Sequence, residues 1–430
     1  MSALTISPAG PLSGTITVPG DKSITHRAFI LSALAEGTST ITGFSTGEDC
    51  LNTLRALQAL GIPMTVHPDS MEVTGKGLWG LTEPTQPLDF GNSGTGFRLL
   101  SGILAAQDFF TVLTGDESLS SRPMGRVVTP LRKMGATITG RKGGDLAPLA
   151  ISGTKLQAID YSSPVSSAQV KSCVLLAGLF AQGTTRFTEP QLSRDHTERM
   201  FQYLGIPFQK QDLTLHLTGG QSFQAKDLSV PGDLSAAAFF LVGGSIVPHS
   251  DICIRNIGMN PARTGIVDIL QRMGANISIL NEREEAGEPV ADLRVQSAPL
   301  RGITITKEQV PQSIDEFPII CVAAALAQGR TVVSGAEELH VKETDRIEAM
   351  VQELTKLGVN IQGTPDGFSI EGKSTIHGAT CTSYGDHRVA MSLAIAALTG
   401  NSPTTIDNAS CIDTSFPGFH GKLLELLTNS

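Results

Sequence analysis

The sequence predicts an α/β protein of two lobes, each built from three repeated βα units. Three observations carry that expectation. A helix-like stretch ending in Leu-Gly or Met-Gly and running on into an apolar or alternating segment occurs five times, with its glycine at Gly61, Gly135, Gly205, Gly274 and Gly358. Successive copies lie about 70 to 85 residues apart, so six such units account for the chain's 430 residues. The turn VPGDKS (18–23) returns as VPGDLS (230–235), with three units between the two turns and three after the second.

The copies read in order as LRALQALGIPMTV (54–66), LRKMGATITG (131–140), MFQYLGIPFQ (200–209), LQRMGANISI (270–279) and LTKLGVNIQG (354–363). Each glycine falls where a helix must end in a left-handed residue before the next strand, a conformation that glycine adopts without a Cβ penalty. A sixth copy begins with TTIDNASCIDTSFPGF (404–419) and ends in a helix over KLLELLTNS (422–430). Strand-like pieces such as TSTITGF, FFTVLTGD, GTTRFTEP, DICIRNIG and GRTVVSGA separate the helices. The two Pro-Gly-Asp turns read as one structural corner used twice. The chain is therefore expected to cross between lobes near Gly20 and near Gly232. That gives an N-terminal lobe of 21–232 and a discontinuous C-terminal lobe of 1–20 plus 233–430. A ligand is expected in the cleft between them, where its binding drives closure.

Composition excludes several classes. Hydrophobic residues make up 40% of the chain and charged residues 17%, enough apolar material for a large core and too little charge for a disordered polyelectrolyte. No apolar run reaches the roughly 18 residues of a membrane span. The N-terminal MSALTISPAGPLSG has neither the basic nor the apolar region of a secretory signal, so a cytoplasmic protein is expected. A net charge of −9 argues against nucleic acid as a partner. The six cysteines are dispersed and form no CxxC, which points to reduced thiols rather than a zinc site or a disulfide framework.

Against this acidic background, basic residues gather in Gly-, Ser- and Asp-rich segments at predicted helix starts. GDKSITHR (20–27) places Lys22, Ser23 and Arg27 in a first helical turn, where free N–H groups and partial positive charge favour an anion. A capped helix with surface charges fits the same residues. GNSGTGFR (91–98), with Gly94, could cradle a phosphate or carboxylate on backbone N–H groups, and it is neither a Walker A loop nor GxGxxG. In SRPM (121–124) the proline holds Arg122 extended and aims its side chain, although an ordinary surface arginine reads the same way. SSAQVKS (166–172) offers Ser167, Gln169 and Lys171, with hydroxyls that are caps or phosphate ligands. SRDHTER (193–199) contributes Arg194 and His196. SIDEFP (313–318) sets Asp315 before an apolar helix, as a cap or as a base beside an anionic ligand. VKETDRIEAM (341–350) reads as a helix on which Lys342 and Arg346, four apart, share a face beside Glu343. GDHRVAMSLAIAA (385–397) puts His387 and Arg388 at another helix start. Singly, each motif has a bland reading. Together, five cations at helix starts in different units imply ligands with several negative charges, such as a phosphate and a carboxylate compound.

The ordered set GDKS…HR, GNSGT, RPM, SSAQ, DEFP, VKETDRI and GDHRVAMS resembles the 5-enolpyruvylshikimate-3-phosphate (EPSP) synthase family over about residues 6–427. The resemblance implies two lobes of three βαβαββ-type units each, an inside-out α/β barrel joined by two crossovers. It implies transfer of the enolpyruvyl group of phosphoenolpyruvate to the 5-hydroxyl of shikimate 3-phosphate with release of phosphate. The step passes through a tetrahedral intermediate, on the route to chorismate and aromatic amino acids. It implies no metal or organic cofactor and small-molecule partners only, and a monomer is the default expectation. Ser23 and Arg27 match positions that hold the shikimate carboxylate, and Ser167, Gln169 and Lys342 match the phosphate side of that substrate. Lys22, Gly94, Arg122, Gln169, Arg346, His387 and Arg388 match the phosphoenolpyruvate contacts, with Lys22 touching both substrates. Asp315 matches the proton acceptor for the hydroxyl and Glu343 a proton donor for the methylene carbon. Cations around Asp315 and Glu343 would keep both ionised, so protonating Glu343 requires a shift on binding.

The chain departs from the family pattern in two places. Many members have lysine where this sequence has Thr414, and Lys422 is the candidate replacement. Ala168 stands where a second serine is usual, a phosphate contact for which Arg194 could compensate. GDKS, SAQVK and RDHTE resemble the bacterial class II subgroup, much of which tolerates glyphosate. Gly94 leaves space for that inhibitor, so intermediate sensitivity is expected. The nearest rival is the enolpyruvyl transferase acting on UDP-N-acetylglucosamine. It usually has asparagine after the active lysine and often a loop cysteine, whereas here Ser23 follows Lys22 and SLSSRPMG has no cysteine. A non-catalytic anion-binding relative is the other alternative, and it would have no need of Asp315 and Glu343.

Overall fold

A computed structural model describes residues 3–428. They form two compact units. One spans Gly20–Val230 with Glu285–Glu288. The other takes the described residues up to Pro19, then Pro231–Glu284, and those from Pro289 on.

Each unit holds three sheets. In the 20–230 unit the pattern is plainest at Asp160–Ser162, which pairs parallel with Thr184–Thr188. That strand pairs antiparallel with Thr214–Thr218, and Thr214–Thr218 pairs antiparallel with Gln209–Gln211. Helices Ala168–Gly178 and His196–Leu204 link these strands, giving a βαβαββ unit. The same order recurs around Phe110–Thr114 and around Glu36–Thr42. In the last case the parallel first strand is Leu228–Ser229, from the far end of the unit's own chain. The other unit does the same: Ser13–Ile16 pairs parallel with Asp251–Gly258. Its third sheet has three strands, and Ala3–Ile6 closes it antiparallel to Thr404–Asp407. The expected sixth copy is therefore present, with its helix at Phe419–Thr428; residues 429 and 430 of that expectation lie outside the described residues.

The five repeat glycines end their helices in left-handed geometry, with φ of +86° at Gly61, +98° at Gly135, +78° at Gly205, +96° at Gly274 and +87° at Gly358. The corner glycine Gly20 is required for a different reason. A Cβ there would lie 1.9 Å from the Gly43 carbonyl oxygen, so the close backbone approach admits no side chain.

Sequence patterning also decides which helices lie inside. The first helix of each repeat is apolar on nearly every face and buried: Lys22–Leu34, Gly94–Leu104 and Ala168–Gly178 in one unit, and Leu234–Ile246, Phe317–Leu326 and His387–Ala397 in the other. The second helices, such as Gly265–Arg272 and Arg346–Lys356, are amphipathic and bury one face. Within each unit the inner helices pack on one another, and most of the predicted site residues sit near their starts, whereas Lys342, Glu343 and Arg346 sit at or just before the start of the second helix Arg346–Lys356. Among the described residues no helix is long and apolar enough to cross a membrane.

Candidate active site

In the 20–230 unit the first cluster forms where three inner helices begin. Asp21 caps Lys22–Leu34, its Oδ1 accepting from Ile24 N at 2.9 Å. That places Lys22 in the first turn, where its Nζ meets Asp49 Oδ2 at 3.0 Å. One turn on, Arg27 is buried, donating from Nε to Thr197 Oγ1 at 2.8 Å and through its terminal nitrogens to Ser172 Oγ at 2.6 Å and the Ser23 carbonyl at 2.8 Å. Burial pushes the Arg27 guanidinium down to about 10, against the pull of Glu198, Asp21 and Glu288 and with a push from the nearby Arg194 cation. Ser23 and Arg194 are half-buried.

Ser93 caps the second inner helix, so Gly94 is its first residue. A Cβ on Gly94 would stand 3.4 Å from a terminal nitrogen of Arg98 and 3.5 Å from one of Arg122. Arg122 has the extended backbone expected before proline, φ −79° and ψ 141°, and donates to Asn92 Oδ1 at 2.6 Å and Ser118 Oγ at 3.2 Å. Ser167 caps the third inner helix. Two residues on, Gln169 accepts from Arg98 and donates to Thr95 Oγ1 at 3.0 Å. Lys22, Arg27, Gly94, Arg122, Ser167 and Gln169 thus all stand at or near inner-helix starts of one unit.

The second cluster lies in the other unit. The short turn Ile314–Glu316 leads into the helix Phe317–Leu326 and leaves the Asp315 carboxylate partly exposed. Lys342 Nζ is 3.3 Å from Asp315 Oδ1, and Arg346 approaches the same oxygen at 3.7 Å. Arg346 is buried, bound through Nε to Asp386 Oδ2 at 2.8 Å and through a terminal nitrogen to Glu343 Oε2 at 2.7 Å. Burial opposes its charge, but Asp386, Glu343 and Asp315 outweigh that and hold its pKa above the ordinary guanidinium value. Asp386 also caps the helix His387–Ala397, accepting from Arg388 N at 2.8 Å. The Arg388 guanidinium then donates to the Asp315 carbonyl at 2.9 Å and meets Glu316 at 3.4 Å.

One local expectation needs correcting. Lys342 and Arg346 do not share a helical face. Asp345 caps the helix at Glu348 N, so the helix begins at Arg346, and Lys342 lies in extended backbone before it. The two cations meet at Asp315 through the loop instead. Thr414 lies 3.4 Å from His387 Nδ1 and donates to the Cys411 carbonyl, while Lys422 pairs with Glu425 on Phe419–Thr428. Sequence reasoning missed the groups that hold the cations: Asp49 on Lys22, Asn92 on Arg122, Thr197 and Ser172 on Arg27, and Asp386 on Arg346. It also missed Arg98, one turn after Gly94 in the same quoted motif and a detectable companion to it.

Repeated βαβαββ units with a set of cations and carboxylates at or just before helix starts in each compact unit define an α/β protein for small, multiply anionic ligands. The family model described as EPSP synthase (3-phosphoshikimate 1-carboxyvinyltransferase) matches residues 6–423. The 3-phosphoshikimate 1-carboxyvinyltransferase of Citrifermentans bemidjiense is 53% identical over 419 residues, covering 97% of this chain and 98% of the relative. That of Brevibacillus brevis is 51% identical over 423 residues, covering 98% and 99%. The solved EPSP synthase of Acinetobacter baumannii superposes with a TM-score of 0.90 at 43% identity, covering 99% of this chain and 98% of that one. The chain belongs to the EPSP synthase family, and its fold is that family's two-domain inside-out α/β architecture.

Proposed function

We propose that the protein is a transferase that moves the enolpyruvyl group of phosphoenolpyruvate onto the 5-hydroxyl of shikimate 3-phosphate, releasing phosphate. The observation that carries the reading is the Asp315 carboxylate held by Lys342 and Arg346, with Glu343 on the same arginine, in a chain of this family. A carboxylate can take the proton of a hydroxyl, and a second carboxylate on the same arginine, once protonated, can deliver one.

In this reading the 5-hydroxyl oxygen bonds to C2 of phosphoenolpyruvate as its proton passes to Asp315. Glu343, protonated in the substrate complex, gives its proton to C3. The tetrahedral adduct then returns a proton from the new methyl group to the Glu343 carboxylate as the bond from C2 to the phosphate oxygen breaks, and phosphate departs with that electron pair. Lys22, Arg122, Arg346 and Arg388 offset the charge of phosphoenolpyruvate and of the leaving phosphate, with Gly94, Gln169 and His387 beside them. Ser23 and Arg27 take the shikimate carboxylate. Ser167, Gln169, Arg194 and Lys342 take its phosphate side. Lys22 acts on both substrates.

Phosphate release from phosphoenolpyruvate, with shikimate 3-phosphate and UDP-N-acetylglucosamine offered separately, tests the reading. Release with shikimate 3-phosphate alone supports it. Release with the sugar nucleotide would overturn the acceptor, and release with neither would overturn the activity. The same reading makes the enzyme a cytoplasmic monomer, which light scattering and cell fractionation test.

A further inference from the structure

Lys171 has no part in the reaction just described, yet it is the most completely enclosed cation of the 20–230 unit, with no exposed side-chain surface. An ammonium has three donors and is costly to bury unless all are used. Lys171 Nζ meets Glu198 Oε1 at 2.7 Å, Glu189 Oε1 at 3.1 Å and the Ser193 carbonyl at 3.4 Å. Glu189 also accepts from Ser193 Oγ. The segment from Glu189 to Glu198 is thus folded around one buried charge. Arg194 and Thr197 lie inside that segment. Thr197 Oγ1 accepts from Arg27 Nε at 2.8 Å and bonds Ser172 Oγ at 2.7 Å, and Ser172 accepts from Arg27 in turn. Adjacent residues of one helical turn therefore grip the segment, through Lys171, and Arg27, through Ser172. Glu198 is in addition the strongest opposite charge acting on Arg27.

We propose that Lys171 is a positioning residue for the acceptor, setting Arg194 and Arg27 through Glu198, Glu189, the Ser193 carbonyl and Thr197. This rests on the functional reading above. It separates the substrates: Arg194 and Arg27 are assigned to shikimate 3-phosphate, so losing Lys171 weakens that substrate and leaves phosphoenolpyruvate nearly untouched.

A merely stabilising lysine predicts something different, and a charge-free replacement tells the two apart. Buried ion clusters can often be replaced by neutral groups of similar volume without loss of stability. The triple variant Lys171→Met, Glu189→Gln, Glu198→Gln is expected to melt near the wild-type temperature. Its KM for shikimate 3-phosphate is expected to rise about tenfold or more, the scale of one weakened charge-assisted contact, with the KM for phosphoenolpyruvate within about twofold. Lys171→Arg, which keeps the charge, is expected to recover part of the loss. Calorimetric binding of shikimate 3-phosphate to the full chain gives the same comparison without turnover. If the triple variant does not fold, Glu198→Gln alone carries the test, with a smaller rise of the same selectivity. A folded variant with unchanged affinity for shikimate 3-phosphate, or with both substrates weakened equally, would overturn the positioning role alone. A wild-type protein that bound no shikimate 3-phosphate would overturn the functional reading and this role with it.

Discussion

Asp386 holds Arg346 at 2.8 Å with both side chains out of solvent, and the same carboxylate caps the helix that carries Arg388. One acid therefore sets the position of two of the cations assigned to phosphoenolpyruvate. Asp386→Ala leaves a buried guanidinium without its principal partner and a helix start without its cap. We expect a loss of about 3–5 kcal/mol of stability, as for other broken buried pairs. Asp386→Asn keeps an acceptor for the cap and should retain more stability while raising the KM for phosphoenolpyruvate. Chemical denaturation and steady-state kinetics on the two variants check this.

Glu343 is partly exposed and bound to Arg346 at 2.7 Å, so its loss leaves no buried void. Glu343→Gln preserves shape and an acceptor oxygen but cannot transfer a proton. Turnover should fall by about 10²–10⁴, the range for a lost general acid, with melting temperature nearly unchanged. A folded variant with near-normal phosphate release would remove Glu343 from the proton path.

Gly94→Ala tests the space in front of Arg98 and Arg122. The new methyl would touch both guanidiniums and Leu119 at 3.4–3.6 Å without overlapping backbone. The fold should tolerate it. The KM for phosphoenolpyruvate should rise about tenfold, equivalent to about 1.4 kcal/mol, with shikimate 3-phosphate within about twofold. Equal effects on both substrates would displace phosphoenolpyruvate from this corner.

His26 supplies a pH dependence. It is fully buried with Nδ1 bound to Thr53 Oγ1 at 2.8 Å. Burial, then the charges of Lys22 and Arg27, hold its pKa well below the ordinary 6.5. Below 6.5 the unfolded imidazole takes up a proton that the folded one refuses, so stability is full above that pH and lost as pH falls. The slope from this group approaches about 1.4 kcal/mol per pH unit. Denaturation curves of wild type and His26→Gln between pH 5 and 7 should diverge in slope by that amount, the wild type being the steeper. Parallel curves would mean that His26 is protonated in the folded state.

The architecture was legible because it repeats. Gly61, Gly135, Gly205, Gly274 and Gly358 each needed one left-handed conformation, and a local requirement stated five times survives any uncertainty at one copy. The motif cations were legible as helix starts because Asp21, Ser93, Ser167 and Asp386 are capping residues beside them. The face shared by Lys342 and Arg346 was misread because spacing alone does not locate a cap, and Asp345 starts the helix later than the charge pattern suggests. Lys171 was legible as a basic residue of its motif, but its burial was not. Its partners Glu189, just past the strand Thr184–Thr188, and Glu198, on the helix His196–Leu204, are distant in sequence, so nothing local marks its burial.

The two N-terminal strands also set an order of assembly. Ser13–Ile16 leaves the ribosome long before Asp251–Gly258, the strand it pairs with, and Ala3–Ile6 waits longer still for Thr404–Asp407. The 20–230 unit takes all four strands of each sheet from within its own stretch, so it can close while synthesis continues. The other unit must hold its opening segment unpaired, with strand edges open to other chains, until Asp251–Gly258 and then Thr404–Asp407 have been made.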